Sequence, residues 1–323
     1  MKYLIESQRG KAQLYFSLIV FINLVVFFII VTGIVIGIKG YMSDTWFVYE
    51  AVTCCGSVCP KCFFTLYTIT AILPWVCIAI LLTGICAAIY KAFYLSCRNY
   101  SFIRSHHSLS PENHPKLKNI MRRMRFHNQL VLLDNNELHC AFTSGLWKPK
   151  VYLSLGICSY LTGKELLAVI LHEAQHKNNK DPLKLFVIQI FYALNFFLPI
   201  NHYLLSQFSS ASEKAADDGA INVSREPIEL ASALVKICKS NQTAILYSSA
   251  SCFNGQNIVE DRIRRLLEPQ VASPYLFKTY LYSSSLLSLF IATTICLSLF
   301  YKFFIPTHIP DCKTRTCHMV RCG

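Results

Sequence analysis

The chain has 323 residues, 53% hydrophobic and only 15% charged, with a positive mean hydropathy. That balance excludes an ordinary soluble domain of this length and points to a membrane protein. The formal charge of +13 comes largely from Lys91, Arg98, Arg104, Lys116, Lys118, Arg122, Arg123 and Arg125. Because these cations lack interleaved aromatics and any helix-turn-helix pattern, the expected partner is the lipid bilayer, with no direct nucleic-acid binding.

In chain order, the first apolar run is Leu14 to Ile38. It exceeds the ~7–15 residues of a signal-peptide core and is read as a retained anchor. The loop 39–65 follows, with Cys54, Cys55, Cys59 and Cys62, and then a second run, Leu66 to Tyr90. Each run is long enough to cross a hydrocarbon core of ~30 Å. Positive charge marks the cytoplasmic side, so Lys2, Arg9 and Lys11, together with the cluster after the second run, put the loop outside and residues 91–280 inside. The polar stretch 105–115, "SHHSLSPENHP", reads as a linker into a cytoplasmic domain.

Within that domain "KVYLSLG", 150–156, reads as a strand. Lys148-Pro149 ahead of it suits a sheet edge, so Val151, Tyr152, Leu153 and Ser154 are expected to hold a peptide as an added strand; an inner strand is the alternative. Residues 163–177 have helical period, with Thr162 as N-cap ahead of Glu165. The apolar segment Leu183 to Leu205 is interrupted by Lys184, Asn195 and Pro199. A third membrane run, Leu281 to Ile305, exports a tail with Cys312, Cys317 and Cys322.

The seven external cysteines suit disulfides in an oxidising compartment. An odd number leaves one thiol unpaired or paired between chains, which allows a homodimer. A zinc site is the alternative at "CPKC", 59–62. The organisation is then a transmembrane hairpin over 1–95, a cytoplasm-facing catalytic domain over 96–280, and a last span with its tail over 281–323.

The chemistry lies in "LLAVILHEAQHKNNKDP", 166–182. His172 and His176 are four apart, so both imidazoles can reach one ion from one helix face, while Glu173 points ~100° away from His172. This is H-E-x-x-H, two zinc ligands and a general base. The spacing arises by chance on the order of once per hundred such chains. Burying such charge on an apolar helix without a partner would be costly, and a metal supplies the partner. A catalytic zinc takes three protein ligands and leaves a position for water. "SASEKAADDGAINVS", 210–224, offers Glu213 as the third ligand, with Asp217 one turn on to accept from a ligating histidine, and Ala215, Ala216 and Ala220 for close helix packing. For His172 and Glu213 to share an ion, the segment 183–205 must double back, with Pro199 breaking the helix. His202 or Tyr203 could then donate to the oxyanion.

The string from Ala141 to Asp181, the segment ending "FFLPINHYL", the later "EKAADDGA" and "EDRIRRLLEP", 260–269, together resemble the BlaR/MecR-type membrane metallopeptidases, gluzincins distantly related to the HtpX proteases. The resemblance covers about 130–270 and the arrangement of spans. It implies one zinc ion on His172, His176 and Glu213, Glu173 as base, and Asp181 and Asp217 in support. This chain has Leu198-Pro199 where the family commonly has Asn-Pro. The expected fold is mostly α, a multi-pass membrane protein with an embedded α+β zincin domain. The expected function is a plasma-membrane zinc endopeptidase that cleaves a cytoplasmic transcriptional repressor, or itself, in signalling. The alternatives are an HtpX-like quality-control protease and a non-catalytic zinc-containing receptor.

Overall fold

The computed structural model describes residues 2–55, 60–124, 129–240 and 255–267. It is mostly helical, with one small sheet. Among the described residues, two helices are long and apolar enough to cross a membrane, α1 (Lys2–Cys55) and α2 (Pro60–Arg104). Both outrun the apolar runs expected from sequence, so most of the expected loop 39–65 is helical. The reason is local: no proline interrupts the chain from Lys39 to Cys55, and Pro60 opens α2 in a first turn, where its missing N–H costs nothing. The side chains of Cys54, Cys55 and Cys62, and the whole of Cys59, Cys312, Cys317 and Cys322, lie outside the described residues, as does the run 281–305.

The chain divides into two compact units. Among the described residues, one comprises 21–55, 60–87 and 193–199. In it Asn195 donates to the side-chain oxygen of Asn23 at 2.7 Å, and both residues are buried. Gly84 of α2 lies against the carbonyl of Leu194, leaving no room for a Cβ. Polar groups inside an apolar helix pair are costly unless they bond each other, as these two asparagines do.

The other unit comprises, among the described residues, 2–20, 88–124, 129–192, 200–240 and 255–267. Its sheet joins β1 (Ser108–Leu109), β2 (Leu130–Leu133), β3 (Ala141–Ser144) and β4 (Lys150–Ser154) in the order β1-β2-β4-β3. The strands β2 and β4 are parallel, with Leu130 opposite Val151, and β3 is antiparallel to β4, with Ser144 opposite Lys150. Two expectations are corrected here. The stretch 105–115 is not only a linker, since Ser108 and Leu109 form the outer strand β1. Val151, Tyr152, Leu153 and Ser154 form an inner strand, hydrogen-bonded on both sides, and the edge beside them is β3. Burial accounts for this: Val151, Leu153 and Ser154 are all enclosed, as befits a strand covered on both flanks.

Helices α3 (Pro115–Met124), α4 (Leu155–Tyr160), α5 (Gly163–Asn178), α6 (Asp181–Leu194), α7 (Ile200–Ser224), α8 (Pro227–Ser240) and α9 (Gly255–Leu267) complete the described residues. The core forms where α5 lies on the sheet: Leu166, Val169 and Ile170 pack with Leu132, Leu153, Ile157 and Leu117. The opposite side of α5, with Ala168 and Leu171, meets Ala220 and Ile221 of α7, Leu230 of α8 and Leu266 of α9. Lys116, one of the cations expected to face lipid, instead donates to the carbonyls of Cys158 and Leu161 at 3.0 and 2.7 Å, closing the end of α4.

Candidate metal centre

Helix α5 begins with the expected N-cap. The Thr162 hydroxyl accepts from the Glu165 amide while the Glu165 carboxylate accepts from the Thr162 amide. That start sets the phase of the helix and brings His172 and His176 to the face that meets α7. The chain leaves this unit at Ala193 and re-enters it at Ile200, with non-helical residues before Pro199. The expected doubling back therefore ends with Glu213 of α7 beside α5. Small residues permit the approach: Ala215, Ala216 and Ala220 are buried, and a Cβ on Gly219 would collide with the side chain of Gln175.

The two imidazoles stand edge to face, with their Nε2 atoms 3.1 Å apart. Each far nitrogen meets its own carboxylate: His172 Nδ1 lies 3.0 Å from Asp217 Oδ1, and His176 Nδ1 lies 2.8 Å from Asp181 Oδ2. Asp181, hydrogen-bonded to His176 Nδ1, keeps the proton there and leaves the Nε2 lone pair facing inward, while Asp217 stands at ion-pair distance behind His172. Glu213 completes the group, Oε2 at 3.4 Å from His172 Nε2 and Oε1 at 3.7 Å from His176 Nε2. One ligand atom from each of the three residues lies within 4.8 Å of the others.

The donor set fits a divalent cation. Two Nε2 lone pairs brought this close repel each other unless a cation or a shared proton lies between them. The local charge balance agrees. Asp181, Asp217, Glu173 and Glu213 carry four negative charges, and the cations bonded to them are Arg262 and Lys184, which leaves two. Two imidazoles and a carboxylate are a zinc-type set with room for water.

Arg262 of α9 is buried and donates to both oxygens of Asp217, at 2.7 and 2.9 Å, and to Glu213 at 2.8 Å. Burial by itself would raise the pKa of Glu213 and of Asp217, but the Arg262 guanidinium overrides it and holds both below the ordinary carboxylate range. Burial likewise disfavours the charged imidazoles, while the adjacent carboxylates more than reverse this, so His172 and His176 hold a proton more readily than a free histidine. Arg262 lies in "EDRIRRLLEP", but a guanidinium is no electron-pair donor, so the ligand pattern of the sequence does not mark it.

Two more contacts were not foreseen. The Thr143 hydroxyl of edge strand β3 lies 2.9 Å from Glu173 Oε2 and 2.8 Å from the Glu173 carbonyl, so its proton is shared between them. Ser212 donates to Asp181 at 2.8 Å, with Lys184 3.5 Å from the other oxygen. No spacing signal in the sequence links these pairs. His202 and Tyr203 are not brought to the cluster. They sit in the first turn of α7, about 15 Å along the helix from Glu213 at 1.5 Å per residue, and His202 is exposed. Cys140, just ahead of β3, and the α4 cysteine Cys158 are no thiolate nucleophiles, since burial pushes both thiols up to about 12.

An H-E-x-x-H helix crossed by a second helix that brings a carboxylate is the arrangement of a metallopeptidase site. The chain belongs to the BlaR1 peptidase M56 family, whose pattern it matches over residues 10–266. No curated protein matches it.

Proposed function

We propose that the chain is an integral-membrane zinc endopeptidase of zincin fold in which His172, His176 and Glu213 hold the ion and Glu173 is the general base. Bound zinc would lower the pKa of water toward ~7 and polarise the scissile carbonyl. Glu173 takes a proton from the attacking water and returns it to the leaving amine nitrogen. Thr143, by hydrogen-bonding the Glu173 carboxylate, fixes which oxygen faces the substrate. Asp181 keeps the His176 Nδ1 proton in place, Asp217 stands behind His172, and Arg262 offsets the charge of Asp217 and Glu213. The peptide lies along β3, which has no strand on its outer side among the described residues. The observation that carries this reading is the pair of separate carboxylates, one behind each imidazole, which turn both Nε2 atoms toward Glu213.

The chain crosses the membrane by α1, α2 and the run 281–305, and the cation-rich side places the catalytic unit in the cytoplasm. Membership of the M56 family supports a regulatory protease that cleaves a cytoplasmic repressor or itself. Comparative proteomics of cells carrying the wild type and Glu173→Gln tests this. One stabilised regulator supports the reading, and a broad set of stabilised membrane proteins overturns it in favour of quality control.

A further inference from the structure

The hairpin between β3 and β4 ends in Gly145-Leu146-Trp147-Lys148-Pro149, and Trp147 is 84% exposed. A single exposed indole is ordinary by itself, but one flanked by cations has the composition of a bilayer-interface anchor. Lys148 and Lys150 beside it are also exposed, so the tip combines an apolar ring with two cations. Gly145, with φ of +115°, makes the turn that presents them.

Contacts at the root of the hairpin give its direction. Phe142 packs edge-on against Phe102 of α2 at 5.5 Å, and two residues on, Ser144 donates to the Asn99 side chain at 2.9 Å. Thus β3 runs back along α2 toward its apolar stretch. From Ser144 to Trp147 the chain can advance up to ~10 Å at ~3.3 Å per residue. Along a helix that is at most about six or seven residues, so the tip reaches toward residues 92–93 and no farther. There α2 exposes Tyr90, Phe93 and Tyr94, with the rings of Tyr90 and Tyr94 stacked. Aromatics with a flanking cation, here Lys91, mark a bilayer interface.

We propose that the β3–β4 tip is a second membrane contact, with the Trp147 ring seated among lipid headgroups and Lys148 and Lys150 paired with anionic ones. This rests on the reading of α2 as a membrane span. It pins the edge strand that holds Thr143 against Glu173 to the bilayer surface, so that a substrate would be taken close to that surface.

The test uses the full chain in vesicles containing phosphatidylglycerol, with Trp147 as sole tryptophan (Trp46→Phe, Trp75→Phe) or Trp75 as sole tryptophan (Trp46→Phe, Trp147→Phe). The account expects Trp147 emission to be blue-shifted and quenched by lipids brominated near the headgroup, and Trp75 emission to be quenched by lipids brominated deep in the chains. A quenched Trp75 with a water-exposed, unquenched Trp147 overturns the hairpin contact alone, and so does a Trp147 shielded from acrylamide but not reached by any bromolipid, which means a protein partner. An unquenched Trp75 overturns the reading of α2, and the hairpin contact with it. Vesicles of phosphatidylcholine alone, or Lys148→Glu with Lys150→Glu, should reduce the blue shift; an unchanged shift overturns the anionic pairing. On the unaltered chain, a photoreactive carbene dissolved in the lipid should label residues 145–150, and absence of label there counts against the contact.

Discussion

Helix α5 carries a buried carboxylate system near each end, and the two are built differently. Near its start, Glu165 is enclosed and fully answered by the protein: Ser232 donates at 2.6 Å, Lys236 at 2.8 Å and the Thr162 amide at 2.9 Å. Near its end, Glu213 and the two histidines converge with inward lone pairs and with more negative than positive charge around them. The first system joins α5 to α8 and has no capacity left for a ligand. The second has capacity for one divalent cation. What separates a structural from a functional carboxylate is therefore whether its partners exhaust it: Glu165 is buried and fully paired, whereas Glu213 is half-buried and is not.

Substitutions at the two ends should separate cleanly. Glu173→Gln is expected to retain zinc and lose cleavage by about 10²–10⁴-fold, the usual worth of a general base; Glu165→Gln should lower thermal stability and leave turnover within a few-fold. The check is peptide hydrolysis set beside bound metal, and equal losses of turnover at both ends would erase the distinction. Asp181→Asn comes next, with zinc affinity falling about 10–100-fold as for other partners of ligating histidines, measured by chelator competition. Thr143→Val should lower kcat about 10-fold with KM little changed, because misorientation of a reacting group costs rate rather than binding. Thr143→Ser, which keeps the hydroxyl, should restore most of it.

The smallest effect is at the structural end. Burial alone would raise the pKa of Glu165, but hydrogen bonds from Lys236, Ser232 and Thr162 bring it down to about 2. A carboxylate depressed in the folded state stabilises above its unfolded pKa, near 4.3, and that stability is lost as pH falls toward 2. Lys236→Met should therefore cost about 1–3 kcal/mol at neutral pH, and its difference from the wild type should shrink between about pH 4.5 and 2. Thermal unfolding followed at 222 nm over that range measures it; a difference that grows with acidity would reverse the sign.

What the sequence made legible was what short-range periodicity encodes. Four-residue spacing put His172 and His176 on one face, the capping box announced the start of α5, and the requirement that one ion meet two helices dictated the fold-back around Pro199. Glu213 and Asp217 were proposed from the spacing on the second helix, whereas Asp181 came only from the family resemblance. Partners chosen over long distances were not legible. Which strand flanks β4 depends on chain pairing beyond any local pattern, so an inner strand was expected at the edge. Arg262 reaches Asp217 from another helix, and Thr143 reaches Glu173 from the sheet. The helices α1 and α2 run past their apolar cores because helix propensity, unlike membrane crossing, does not end where polar residues begin.

Metal analysis of the purified chain tests the central claim most directly. X-ray absorption on zinc-loaded protein, set against His172→Ala, His176→Ala and Glu213→Ala, should find about one ion per chain in a nitrogen and oxygen shell containing two imidazoles, lost or displaced in each variant. Zinc held undiminished in all three variants, or no uptake by the wild type, would contradict the account.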